Sequence, residues 1–311
     1  MLRLYSAIWR ASAGRQILLI LLSVAVAALA AVPLEFQRAI VNHLTSLDVG
    51  AERLVYLGLG MMGVILLSLA LKWVLGYRAG TLGEDMIRLI RQRLLWRSSD
   101  INETGESVRK GTMTTAISAE AEELGKFAGG AFSDPVVQIG TLISVIGYIS
   151  STQPGLGLIA FSMIVPQIII VLVSQRKVNV FVAERVRILR SATDQLTTED
   201  LDAVEQDINA LFDDIYETRK RMFLWKLSAK FLLSVINGAG TVGILMLGGW
   251  LVLQGKTDVG TVVAATSGLG RIQGPTAFLI AFYRQVSANR IKYELMLELF
   301  GPDPTRYRHR T

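Results

Sequence analysis

Apolar and polar positions fall in long blocks along this chain, and the stretch from Leu201 to Leu253 shows both patterns in one predicted helix. In its first half Leu201, Val204, Ile208, Leu211 and Ile215 recur at alternating short spacings, an apolar seam on one helical face. Asp202, Glu205, Asp207, Asp213, Asp214 and Glu217 occupy the other faces and place this half in water, while the seam implies packing against partner helices. A basic collar follows, Arg219, Lys220, Arg221, Lys226 and Lys230, with Trp225 among it. Past Lys230 no charge appears until Lys256, a run of about 25 residues and long enough to cross a bilayer. At about 1.5 Å per residue the whole helix is roughly 80 Å long, against a hydrocarbon core of about 30 Å. Such a helix must act on something beyond the membrane.

The other apolar blocks predict five more spans. The first covers about 17–32 behind Arg3, Arg10 and Arg15, and Pro33 is expected to end it. A basic start, an apolar run and Ala28-Leu29-Ala30 also fit a cleavable signal peptide. The second covers about 54–77 and continues as a polar helix through Leu82, Met86, Ile90 and Leu94. The turn and cap residues Ser98-Ser99-Asp100 and Asn102-Glu103-Thr104-Gly105 predict a break there. A new helix returns from about 112–118 to Phe132. The third and fourth spans, about 135–151 and 156–173, are separated by Ser151-Thr152-Gln153-Pro154-Gly155. The fourth extends as a polar helix to about 194–198, where Thr197, Thr198 and Asp200 are good caps for the long fifth helix, whose span is about 231–253. After Gln254-Gly255-Lys256-Thr257-Asp258 the sixth span runs over about 259–287, and its polar tail ends near Phe300. Residues 301–311 form a short basic tail, so 1–300 reads as one transmembrane domain.

Composition agrees: 51% of the 311 residues are hydrophobic, and mean hydropathy is +0.42. That is the balance of a polytopic membrane protein. Zero cysteines exclude disulfides and thiolate metal sites, and two histidines give no basis for a histidine metal centre. A net charge of +6 would suggest nucleic acid in a soluble protein. Here most of the 32 lysines and arginines fall in the N-terminus, the two long loops and the C-terminal segment. The positive-inside rule then places both termini in the cytoplasm and leaves no reason to invoke a nucleic acid. Trp9, Trp73, Trp225 and Tyr283 fall near the inner boundary of the predicted bilayer, and Tyr56, Tyr148 and Trp250 near the outer one. A multi-pass protein of the plasma membrane is expected, the inner membrane in a prokaryote.

Gly255-Lys256-Thr257 invites a phosphate-loop reading, but that motif needs a glycine where Trp250 stands and a strand before it. With no nucleophile elbow or metal-ligand cluster elsewhere, the chain is not expected to be an enzyme. Arg271 stands out. It lies about 12 residues past Val259, roughly 18 Å into the sixth span, where a charge must face protein or water. Its neighbours Gly268, Gly270, Gln273, Gly274 and Pro275 are small, polar or helix-loosening, as a cavity wall requires. Arg271 and Gln273, with Gln138 and Asn237 from other spans, are the candidate cavity residues. A buried structural arginine bonded to a carbonyl is the alternative for Arg271, and interhelical hydrogen bonding the alternative for Gln138 and Asn237. Gly76-x-x-x-Gly80 and Gly270-x-x-x-Gly274 are candidate close-packing faces.

Six spans, short outer connections and two long cytoplasmic helical hairpins make an all-α membrane protein that resembles the transmembrane domain of exporter-type ABC transporters. Local sequence is similar too: Thr115-Ala116-Ile117-Ser118-Ala119-Glu120 after the first hairpin turn, Val259-Gly260-Thr261-Val262 into the sixth span, and Ser287-Ala288-Asn289-Arg290-Ile291 out of it. The resemblance implies a dimer of such domains, homo- or heterodimeric, driven by nucleotide-binding ATPase subunits that hold ATP and Mg; this chain itself would bind no cofactor. It also implies two coupling turns, at about 100–108 and 197–204. Their candidates are Asp100, Ile101, Asn102 and Glu103 in the first, and Thr197, Thr198, Glu199, Asp200 and Leu201 in the second. A fused ATPase is not expected after Phe300. Two other readings stay open: an ion-gradient-driven relative with the same membrane fold, and a non-transporting scaffold or sensor.

Overall fold

A computed structural model describes residues 2–46, 50–104, 116–198 and 201–300. Among them the chain is helical throughout: α1 (Leu2–Ala28), α2 (Val32–Thr45), α3 (Ala51–Thr104), a π-helical turn (Ala116–Glu120), α4 (Ala121–Gly130), α5 (Ser133–Thr152), α6 (Pro154–Ser162), α7 (Ile164–Thr198), α8 (Leu201–Leu253) and α9 (Val259–Phe300). Five stretches are long and apolar enough to cross a membrane, Leu2–Thr45, Ala51–Leu95, Ser118–Thr152, Pro154–Leu189 and Asn209–Leu253. α9 is not among them, because Arg271, Gln273 and a run of glycines and threonines dilute its apolar character.

Several boundaries differ from the sequence expectation, each for a local reason. Pro33 does not end the first span. It stands in the first turn of α2, where a missing N–H costs nothing, and the chain resumes as helix after a break at Leu29–Ala31. The fourth span is divided at Met163, because Pro166 cannot donate to the carbonyl one turn back. α3 continues through Ser98 to Thr104 rather than breaking at Ser98. The helix penalties of Ser, Asp and Asn are only tenths of a kcal/mol, about 0.7 at most, too small alone to end a long helix.

Two apolar cores stabilise opposite ends of the bundle. Near the short connections, Leu34 of α2, Val145 and Ile149 of α5, Leu156 of α6, Ile244 of α8 and Val262, Leu269 and Ile272 of α9 interlock. At the other end, Leu4 and Ile8 of α1, Leu82 and Met86 of α3, Leu124 and Phe127 of α4 and Phe282 and Val286 of α9 form the second core. Its aromatic rings meet edge-on or offset, Tyr5 on Phe132 at 5.2 Å and Phe127 on Phe282 at 5.9 Å between centroids. α1 reaches this core by bending at Ser12, whose φ is −145° and whose hydroxyl donates to Ile8 O at 2.8 Å, the side-chain bond that bends helices. Gln16, fully buried, donates to Ala128 O at 2.9 Å and ties α1 to α4. By contrast Leu59, Met62, Leu66, Leu69 and Trp73 of α3 are exposed, an apolar surface suited to lipid.

The glycine pairs that pack helices closely are not those expected. Gly76, Gly80, Gly270 and Gly274 face open space. Instead α4 presses Gly125 and Gly129 onto Ala79 and Gly83 of α3: a Cβ on Gly129 would stand 2.4 Å from Ala79 O, and one on Gly125 2.7 Å from Ile87 N. Backbone meets backbone, so neither contact yields by a side chain turning aside. Gly129→Ala is expected to destabilise the purified protein by about 1–3 kcal/mol through overpacking, with a matching fall in Tm. Gly76→Ala should leave Tm within about a degree of the parent, since exposed changes sit near zero. Equal Tm for the two variants would refute this packing.

Candidate functional site

α9 enters the bundle antiparallel to α2, and a polar seam joins them. Asp258 starts it: one carboxylate oxygen accepts the Thr261 N–H at 2.6 Å, capping α9, while the other accepts from Arg38 at 3.1 Å. Burial pushes the Asp258 carboxyl up, yet hydrogen bonds from Arg38, Asn42 and Thr261 outweigh it and hold the group at about 2, below the ordinary 3.8. Asn42 Oδ1 accepts the Gly260 N–H at 2.8 Å. Gly260 is required there, since a Cβ would fall 2.3 Å from Arg38 O. Glu35 lies 3.6 Å from Arg38 and accepts from the Tyr148 hydroxyl at 2.8 Å, which brings in α5. Further along, Gln37 donates to the Ser267 hydroxyl at 2.8 Å.

The seam ends at Arg271. Its guanidinium donates to Ala30 O at 2.9 Å, inside the break between α1 and α2. That carbonyl is accessible because the chain tightens there: Leu34 N–H bonds Ala31 O at 2.9 Å instead of reaching back to Ala30. Arg271 therefore has the carbonyl partner that one sequence reading required, while its side chain remains exposed on the single chain. Gly270, Gln273, Gly274, Ala277 and Ala281 are exposed beside it, a surface of small and polar groups unlike the leucines and aromatics of α3.

The other candidate residues divide. Gln273 shares the exposed face of Arg271. Asn237 of α8 does not: it accepts from Gln167 of α7 at 2.9 Å, the interhelical alternative. Gln138 of α5 is half-buried and bonds none of the other three. The coupling candidates Asp100, Ile101, Asn102 and Glu103 belong to the end of α3, Thr197 and Thr198 to the end of α7, and Leu201 opens α8. Glu199, Asp200 and the rest of the first turn, 105–108, lie outside the described residues. None of Glu35, Arg38, Asn42 and Asp258 was singled out from the sequence as a site residue; Asp258 entered only as the end of the turn before the sixth span. Their signal was four polar side chains on the side that charge counting leaves nearly bare.

A cleft of about 190 Å³ between α5, α7 and α9 is lined by Leu142, Ile168, Leu172, Ile280 and Tyr283, and it does not include Arg271. Among the described residues nothing covers the polar face of α9 at Arg271 and Gln273. Residues 16–276 match the family described as the ABC transporter transmembrane region. The chain belongs to that family. A comparison with curated proteins finds no match. ABC family membership makes the chain a transport protein of the membrane, and the matched region is a membrane region rather than a catalytic ATPase domain.

The low Asp258 carboxyl has a consequence for this ABC membrane domain that acid titration can measure. A carboxyl whose folded value is depressed contributes stability that is complete above about 4 and is lost as pH falls through about 2. Asp258→Asn should therefore melt below the parent at neutral pH, and the two Tm values should converge as pH falls from about 4 to about 2. A gap that stays constant across that window would rule out the charged pair as its cause.

Proposed function

We propose that this chain is the membrane subunit that forms one wall of a translocation pathway, completed by a second transmembrane subunit and driven by a separate ATPase subunit holding ATP and Mg. In this reading α9 is the sixth span, both termini and the two long helical hairpins are cytoplasmic, and the bilayer is the plasma membrane. The observation that carries it is the α9 face at Arg271. A guanidinium about halfway through a span is disfavoured by roughly 2.5 kcal/mol or more unless it meets protein or water. Here one donor is satisfied by Ala30 O, and the side chain remains on a small, polar, unwalled surface. A helix facing lipid would present leucines there. Facing water and a second subunit, the same surface is in its proper solvent.

Arg271 and Gln273 are then the pathway residues, and Arg271 favours acidic substrates or headgroups. Gln138 lies on a neighbouring helix. Asn237 acts through its bond to Gln167, holding α7 against α8. The ends of α3 and α7 and the start of α8 carry the coupling turns. ATP binding closes the ATPase pair, and the long extensions act as levers that tilt the pathway.

Two experiments test this reading. The purified chain alone should hydrolyse no ATP, and hydrolysis should appear when a co-purified nucleotide-binding subunit is added; robust hydrolysis by the chain alone would sink the proposal. In reconstituted vesicles Arg271→Gln should reduce uptake of an acidic substrate at least tenfold and a neutral one far less, while Arg271→Lys retains most of both. The lost charged hydrogen bond should lower stability by no more than about 1.5–3 kcal/mol. Undiminished transport of the acidic substrate by the glutamine variant would remove Arg271 from the pathway.

A further inference from the structure

Both ends of α9 pack in an apolar core, and they differ in the polar contacts beside it. Phe278, Phe282 and Val286 join the core that α1, α3 and α4 share, with Phe282 stacked on Phe127 of α4, and there the contact is apolar and aromatic. Where α9 begins, Leu34 of α2 packs at Gly268 and joins Val262 and Leu269 in the other apolar core. Beside that packing runs a file of polar bonds to α2 and the break before it: Arg38 to Asp258, Asn42 to the Gly260 N–H, Gln37 to Ser267, and Arg271 to Ala30 O. The file is also wet. The side chains of Arg38, Asp258 and Glu35 retain 31%, 36% and 56% of their exposure. Exposed ion pairs and hydrogen bonds exchange partners with water at little net cost, whereas an apolar core does not.

We propose that the knot of Glu35, Arg38, Asn42, Tyr148 and Asp258 is a releasable latch that holds the α9 entrance against α2 and α5 and opens as a unit. The knot has the connectivity for this. Arg38 touches both carboxylates, and Glu35 carries the connection on to α5 through Tyr148. Removing Arg38 therefore frees both acids together. Gly260 gives the seam a tight reclosed position, with the α9 backbone against Arg38 O. Separation starting at Asp258 would proceed along Gln37–Ser267 toward Arg271. An open latch thus weakens the hold on the α1–α2 break whose carbonyl Arg271 uses. The latch goes beyond the transport reading and concerns this chain alone; a failure to find an ATPase partner would leave its test unaffected.

The natural absence of cysteine makes the test direct. Thr45→Cys at the end of α2 and Lys256→Cys in the connection before α9 place two spin labels beside the seam, outside the knot. Pulsed electron–electron distance measurements on the full chain in lipid nanodiscs then report its width. Arg38→Met should increase the long-distance population at least threefold over the labelled parent. Asp258→Asn, which keeps an oxygen for the Thr261 N–H and removes the charge, should do the same. The double variant should open no further than either single one, because both break one unit. If either variant leaves the distance distribution unchanged while Tm falls, the knot is a static brace and the proposal fails. If the two effects add, the contacts act independently and the latch is likewise overturned. Should Arg38→Met not fold, Tyr148→Phe replaces it, and the same outcomes decide.

Discussion

In a bilayer each backbone N–H and C=O must find a partner inside the protein, and three prolines in this chain stand where that is hardest. Pro166 and Pro275 lack an N–H for the carbonyl one turn earlier, and Pro33 opens α2 after the break at Leu29–Ala31. The fold is arranged around the repairs. At Pro33 the helix stops and restarts, Leu34 bonds Ala31 O, and the guanidinium of Arg271 supplies the donor for Ala30 O from across the interface. At Pro166 the helix divides at Met163, and Gly240 leaves room for the methionine, since a Cβ there would lie 1.8 Å from its sulfur; next to the break the side chain of Gln167 bonds that of Asn237 and ties α7 to α8. Arg271, the polar residue that looks most costly within a membrane, is the partner of one of these breaks.

This accounts for which helices can carry function. α3 crosses as an unbroken apolar rod whose surface suits hydrocarbon, and α4 locks its polar extension by backbone contact through Gly125 and Gly129. α9, with Pro275 inside it and Arg271 on its face, is held by apolar packing at both ends, and at its beginning also by a seam of hydrogen bonds. A rigid lever on one side and a wettable seam on the other are the mechanical parts a transporter needs.

The sequence made the helices legible wherever apolar runs were long, and the spans near 54–77, 135–151 and 231–253 fall inside observed helices. Periodicity does not report how two helices meet: Gly76 and Gly80 have the right spacing but no neighbour within the chain, while Gly125 and Gly129 have one. A proline is read as an end because it removes a bond, and whether the chain restarts depends on donors far away in sequence. Arg271 was legible as a residue needing a partner. That the partner is Ala30 O depends on a break some 240 positions earlier, visible only after folding.

The helix with the weakest membrane signature carries the candidate site, and the two facts share a cause. A span that faces lipid on one side and protein on the other can be apolar throughout, and then it is recognised at once. One that walls a watery path must give up apolar positions to glycine, threonine, glutamine and arginine, and its average hydropathy falls. Departure from the local rule for a membrane helix is therefore what marks a functional surface. If α9 is the sixth span, as proposed, it tolerates this because α2, α5 and α8 surround its remaining faces, and its insertion then depends on neighbours rather than on its own partition into lipid. Stability lent by the bundle allows polarity at the site, and the same dependence leaves the beginning of α9 free to be fastened by bonds that water can replace.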